Sequence, residues 1–146
     1  MRIEARLPVA ATLDEVWAVA SDPCVIGALS DTFIVDEMEP DSKPGVGTRY
    51  RALLRVGPVP VGGNVEIIEF NAPRDMAWTT LTGVDHRLRI RIRDRAEGGS
   101  WISVRFSYDS PGLLGSIADL ASYPTVRTAI RGLLRDVVER VEADAA

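Results

Sequence analysis

Leu113–Glu142 reads LLGSIADLASYPTVRTAIRGLLRDVVERVE. Apolar residues recur in it at helical spacing, at Val126, Ile130, Leu133, Leu134, Val137 and Val141, with Arg127, Arg131, Arg135, Asp136 and Glu139 on the other side. The spacing predicts a long amphipathic helix. The stripe does not continue in phase back through Leu113, Ile117, Leu120 and Ala121; the offset falls at Tyr123–Pro124. Proline removes a backbone donor and disfavours helical geometry at the residue before it, so a kink or break is expected there. The short apolar arm Leu113–Ala121 would then lie over one mouth of whatever the helix covers.

Upstream of this stretch the chain alternates with the period of β-strands. The clearest run is His86–Ala96, where Leu88, Ile90 and Ile92 face one way and Arg87, Arg89, Arg91, Arg93 and Arg95 the other. Glu97-Gly98-Gly99 turns the chain, and Trp101–Tyr108 pairs back with Ile102, Val104, Phe106 and Tyr108 inward. Arg49–Val56 alternates in the same way. Asn64–Phe70 and Met76–Thr82 are further strands, although Glu66-Ile67-Ile68-Glu69 leaves the facing of the first ambiguous. Asp31–Glu39 alternates weakly. Arg2–Val9 is a strand with Ile3, Ala5, Leu7 and Val9 on one face, and Pro8 places it at an edge or at its own end. Thr12-Leu13-Asp14-Glu15 matches a capping box before a helix. Ser21-Asp22-Pro23 ends that helix and opens a second, with Pro23 in its first turn. The element order is β-α-α-β-β-β-β-β-β-α. This is an α+β, helix-grip arrangement: a seven-stranded antiparallel sheet curved around a long C-terminal helix, with two short helices between strands one and two. A sheet that grips one helix leaves a cavity between them, and function is sought there.

At 146 residues the chain is read as one domain over 1–146, able to bury about two-thirds of its unfolded surface. One cysteine, Cys24, excludes an internal disulfide and a thiolate metal cage. The N-terminus lacks the apolar run of a signal peptide and no stretch has the length of a membrane span, so a cytoplasmic protein is expected. A net charge of −4 disfavours nucleic acid as a partner.

The layout resembles the START-like superfamily of helix-grip proteins, which includes Bet v 1, polyketide cyclases and lipid-transfer domains. The resemblance rests on RIEARLPVAATLDEVWAVASDP (2–23), PGVGTRY (44–50) and NAPRDMAW (71–78). Through RVGPVPVGGNVEIIEFNAPRDMAW (55–78) the chain is also similar to proteins associated with carbon monoxide dehydrogenase. The resemblance implies an apolar pocket between sheet and long helix that takes a lipid, a polyketide or a similar molecule. Families of this type often have an aromatic residue soon after the Asp-Pro of the second helix. Here that region reads CVIGALS (24–30), which implies a roomier entrance.

The inward phases nominate Leu54, Val56, Trp78, Leu88, Ile90, Val104 and Phe106 as the lining from the sheet. Ile117, Leu120 and Tyr123 are the lining from the helix. Tyr50, Tyr108 and Tyr123 offer phenolic hydroxyls as polar anchors. His86 is the only histidine, and a general acid–base role at the cavity rim stands against the plainer reading of a polar turn before a strand. Asp85 points to the opposite face of the strand and does not pair with it directly. A cyclase or dehydratase acting on a polyketide-like chain is the alternative to simple binding, with Tyr50, His86 or Arg49 as proton donor or oxyanion partner. A third reading uses the Arg87–Arg95 face, joined by Arg2, Arg6 and Arg105 and relieved only by Glu4, to dock an anionic partner or a lipid surface. A homodimer is a further possible partner. Gly45-Val46-Gly47 precedes a strand and is a hairpin turn, not a phosphate loop. Nothing in the residues calls for a metal or cofactor.

Overall fold

The computed structural model describes residues 1–55, 60–109 and 115–146, with the side chains of 61 and 115–123 excepted. Of the expected lining, Val56 and the side chains of Ile117, Leu120 and Tyr123 therefore lie outside the described residues, as do residues 113–114 of the arm and its side chains over 115–121.

Each alternating run forms pleated sheet over much of its length among the described residues. The elements run β1 (Arg2–Val9), α1 (Leu13–Ala20), α2 (Pro23–Ala28), β2 (Phe33–Glu37), β3 (Arg49–Leu54), β4 (Val61–Asn71), β5 (Asp75–Thr80), β6 (His86–Asp94), β7 (Ser100–Tyr108) and α3 (Gly115–Ala145). The strands form one antiparallel sheet in the order β1-β7-β6-β5-β4-β3-β2, the curved sheet of a helix-grip fold. Burial alternates strictly along β7, as expected of a strand with one packed face and one wetter face. Pro8 sits on β1, an edge strand, where a missing ladder donor is tolerated.

The β4 ambiguity has a physical resolution. The register with β5 shifts between Ile67 and Glu69, so Ile68 is an extra residue in a bulge. Ile67 is then fully buried while Ile68 stands 40% exposed, and Glu69 returns to the outer face. Two adjacent isoleucines can thus flank a phase change within one strand.

The short helices are set by their caps. The Glu15 amide donates to Thr12 Oγ1 at 3.2 Å and the Thr12 amide donates to Glu15 Oε1 at 3.1 Å, closing the capping box. Asp22 caps α2 through the Cys24 amide at 3.0 Å, with Pro23 at the first helical position. Ser100 Oγ, fully buried, donates to the Ala11 carbonyl at 2.8 Å and ties the β1–α1 corner to the start of β7. At the β6–β7 hairpin Gly98 and Gly99 hold φ of 100° and 74°, a conformation that favours glycine.

The stripe of α3 is buried as read: Val126, Ile130, Leu133, Leu134, Val137 and Val141 are all inside. Of the kink or break expected at Tyr123–Pro124, the break is corrected, because α3 is one helix that runs through Pro124. An interior proline costs one main-chain bond, about 3 kcal/mol or more. The turns after it are held by packing of the stripe, which offsets that loss. Thr128 Oγ1 also donates to the Pro124 carbonyl at 2.9 Å. Among the described residues α3 packs chiefly on β1, α1 and β7.

Ile130, fully buried at the middle of the stripe, reports on this packing. Ile130→Ala is expected to lower stability by about 2–5 kcal/mol. Urea unfolding checks it, as a lower midpoint at unchanged slope.

Candidate functional site

The concave face of the sheet is assembled row by row from cross-strand pairs. One row runs through Phe106, Leu88, Trp78 and Ile67, and the next through Val104, Ile90 and Met76. All of these side chains are buried, and so is Leu54 at the end of β3. The expected sheet lining that falls on described residues is therefore brought onto one surface.

A third row is different in kind. His86 pairs with Tyr108, Tyr50 pairs with Val65, and Val65 pairs with Thr80. The Thr80 hydroxyl accepts from the His86 amide at 3.2 Å and closes the row across β5 and β6. Tyr50, Thr80, His86 and Tyr108 thus form a polar line across an otherwise apolar wall. Strands β3, β5 and β7 run the same way, so this row lies toward the end of the sheet from which the chain leaves Tyr108 for α3.

Aromatic rings line this wall. Phe33 lies 6.3 Å from Trp78 between ring centroids, His86 lies 5.4 Å from Phe106, and Phe106 lies 5.7 Å from Tyr108. The link between the two groups is a hydrogen bond: Trp78 Nε1 donates to His86 Nε2 at 3.1 Å. His86 Nδ1 lies 3.0 Å from the Val84 carbonyl. An indole N–H is a donor only and a carbonyl an acceptor only, so the geometry requires the neutral ring with its proton on Nδ1. Burial holds the His86 pKa below the usual histidine value, opposed by the Val84 carbonyl and Asp85. His86 lies in the sheet and not in a turn. It is the first residue of β6, and both of its nitrogens are engaged in holding the wall. Asp85 accepts instead from the Thr80 hydroxyl at 3.3 Å. Arg49, the other charged candidate, lies on the far face of the sheet and pairs with Glu66 at 3.1 Å.

Tyr50 is the exception in this row. Its side chain is 1% exposed, and its hydroxyl has no hydrogen-bond partner among the described residues. Burial first, then Asp22, Cys24 and Glu37, push its pKa up, so the phenol stays protonated at neutral pH. Cys24, at the start of α2, has its thiol pushed up to about 11 by burial and by Asp22, Glu37 and Asp36, so it is no thiolate nucleophile. The chemistry available from Tyr50 is donation of a hydrogen bond within an apolar wall. Its inward phase was visible in the sequence. The missing partner was not, because only the packed neighbours decide whether a hydroxyl is satisfied.

Two openings lie at this same end of the sheet. A groove of about 570 Å³ separates Ser30–Thr32 and Arg55 from α3 along Pro124–Asp136. A depression of about 470 Å³ reaches Thr80, His86 and Tyr108 beside Met1 and Asp109. Among the described residues no three His, Cys, Asp or Glu side chains come together as metal ligands. No helix of the described residues is long and apolar enough to cross a membrane.

The sequence pattern of the family described as polyketide cyclase / dehydrase and lipid transport matches residues 1–146. No curated protein matches the chain. Among solved structures, TTHA0849 from Thermus thermophilus is similar at a TM-score of 0.84 and 15% identity, over 100% of both chains. DR_A0006 from Deinococcus radiodurans superposes at 0.71 and 15% identity, over 99% of this chain and 98% of that one. The AHSA1-like protein from Aeromonas hydrophila superposes at 0.61 and 17% identity, over 99% and 94%. At such identities the likeness speaks for the fold.

The His86–Trp78 bond gives a pH signature. The folded pKa of His86 lies below its unfolded value of 6.5. The unfolded chain therefore takes up the proton first on acidification, and stability rises with pH through this interval. The contribution is present above about pH 6.5 and is lost as pH falls through the lowered folded value. Urea unfolding at neutral and mildly acidic pH is expected to show this loss in the native protein. His86→Gln is expected to flatten that part of the profile.

Proposed function

Because the chain belongs to the polyketide cyclase / dehydrase and lipid transport family, we propose that it binds a small, largely apolar molecule with a hydrogen-bond acceptor, between the concave sheet face and α3. The observation that carries this reading is the Tyr50 hydroxyl, buried and unpaired among the described residues. Leaving such a group unsatisfied costs about 1–3 kcal/mol. A carbonyl or ring oxygen of a bound guest recovers that cost, while the surrounding aromatic and aliphatic wall takes the guest's carbon skeleton. Binding pockets of this composition, apolar with few polar anchors, are the general pattern for small molecules. The groove between Ser30–Thr32, Arg55 and α3 offers the path in.

A cyclase or dehydratase of the same family would need a proton carrier at the guest. His86 is committed to Trp78 and Val84, and Arg49 faces away. Of these three candidates Tyr50 is left as the group able to polarise a carbonyl, and binding is the reading favoured.

The test compares two naphthalene probes of similar shape, 2-acetylnaphthalene and 2-ethylnaphthalene, by fluorescence titration. The native protein is expected to prefer the ketone by about fivefold, the worth of one hydrogen bond of about 1 kcal/mol. Tyr50→Phe is expected to abolish the preference while leaving the hydrocarbon's affinity unchanged. The same variant, freed of an unsatisfied hydroxyl, is expected to unfold at an equal or higher urea concentration. A ketone preference that survives Tyr50→Phe would remove Tyr50 as the anchor. Binding of neither probe would count against the cavity itself.

A further inference from the structure

The sheet face turned away from α3 carries a charge pattern that the ligand site does not use. Along β6, Arg87, Arg89, Arg91 and Arg93 alternate with the buried Leu88, Ile90 and Ile92. Alternate residues on a strand stand about 6–7 Å apart. The expected relief of this patch by Glu4 alone is corrected, since Glu69 and Asp75 also reach it. One cross-strand line joins Glu4, Arg105, Arg89, Ala77 and Glu69. Arg105 Nε lies 2.8 Å from Glu4 Oε1, and Arg89 Nη2 lies 3.4 Å from Glu69 Oε2. The next line joins Arg6, Ser103, Arg91 and Asp75, and Asp75 Oδ1 takes Arg91 at 3.7 Å and Arg93 at 2.9 Å.

The arginines still outnumber these carboxylates. Among the described residues Arg6 and Arg87 have no ion-pair partner. The Arg6 guanidinium instead lies 4.1 Å over the Trp101 ring, with Arg95 at 4.9 Å from the same ring. Small side chains at Ser103 and Ala77 keep the surface low between the arginines. The result is a groove of about 300 Å³ lined by Arg6, Arg89, Arg91 and Arg105, with Glu4 and Ser103 also in the lining. The whole chain carries a net charge of −4, so this positive excess is a local property of one face.

We propose that this face docks an acidic segment of another protein, its carboxylates seated on the groove arginines. Charge complementarity names the sign, and three observations name the class. A second copy meeting it face to face presents the same positive charge and is repelled. A lipid surface gains nothing from insertion, because the large exposed apolar side chains among the described residues, Met1, Met38, Val46, Ile68 and Leu81, do not line the groove. A uniformly anionic bilayer would also press on Glu4, Glu69 and Asp75, whereas a peptide can place its charges between them. A nucleic-acid strand would want an open aromatic platform, and Trp101 is covered by guanidinium groups. The surface is opposite the helix, so docking there leaves the groove beside α3 clear. The proposal is independent of the ligand reading.

The probe is a short fluorescent peptide of alternating glutamate and serine, followed by anisotropy with the full chain. Binding is expected at low ionic strength and should weaken steeply with salt. The combined variant Arg6→Ser, Arg87→Ser and Arg91→Ser should bind about tenfold more weakly, as three exposed charges of modest worth allow. The matching lysine variant should retain most of the binding, which separates lost charge from lost fold. Absence of peptide binding, or a serine variant that binds as the native protein does, would overturn the proposal. So would equal binding of an alternating lysine–serine peptide, or preferential binding of phosphatidylserine vesicles or an oligothymidylate.

Discussion

The apolar stripe of α3 has to be taken out of water, and the packing of β1, β7 and α1 against it sets the rest of the molecule. A long helix with Val126, Ile130, Leu133, Leu134, Val137 and Val141 along one side exposes far more apolar area than helix propensity could offset. A curved antiparallel sheet supplies the matching surface. Because β1 joins β7 at the end of the strand order, the first strand and the last are neighbours. The chain's start and its final helix are thereby bound into one core. The same packing carries α3 through Pro124, where local geometry alone would favour an interruption.

Once the helix is committed to that side, the character of the concave wall changes along the strands. Apolar rows dominate, and one polar row crosses them near the end where β7 gives way to α3. Within it most groups have partners: the Trp78 indole holds His86, the Val84 carbonyl fixes its tautomer, and Thr80 joins Asp85 to the His86 backbone. Burying such a set is favourable only when the members satisfy one another. Tyr50 departs from that rule: among the described residues its buried hydroxyl has no partner.

The two faces of the sheet divide the chemistry. Alternation sends Leu88, Ile90 and Ile92 to the core and the intervening arginines to solvent. The acidic residues that answer those arginines come from β1, β4 and β5, strands spread widely in sequence. Exposed pairs of this kind add little to stability. Their effect is to pattern the face, leaving positive charge where Arg6 and Arg87 find no carboxylate among the described residues.

Local order was enough to determine most of the elements, though not the continuity of α3 through Pro124. The capping box at Thr12–Glu15, the alternation of β6 and β7, the turn at Gly98-Gly99 and the stripe of α3 are each encoded by residues within a few positions of one another. Periodicity is therefore a sufficient signal, and it extended to the inward phase of Tyr50, Trp78, Leu88 and Phe106. What tertiary structure decided is everything that depends on register. The bulge at Ile68 turns Glu69 outward to Arg89, and the pairing of β6 with β7 sets His86 opposite Tyr108. The reach of Trp78 to His86 engages one ring nitrogen of a residue whose type suggested catalysis. Such relations are invisible in a linear pattern because the partners are remote in the chain. Each depends on hydrogen bonds and packing that form only when the whole sheet has closed over its helix.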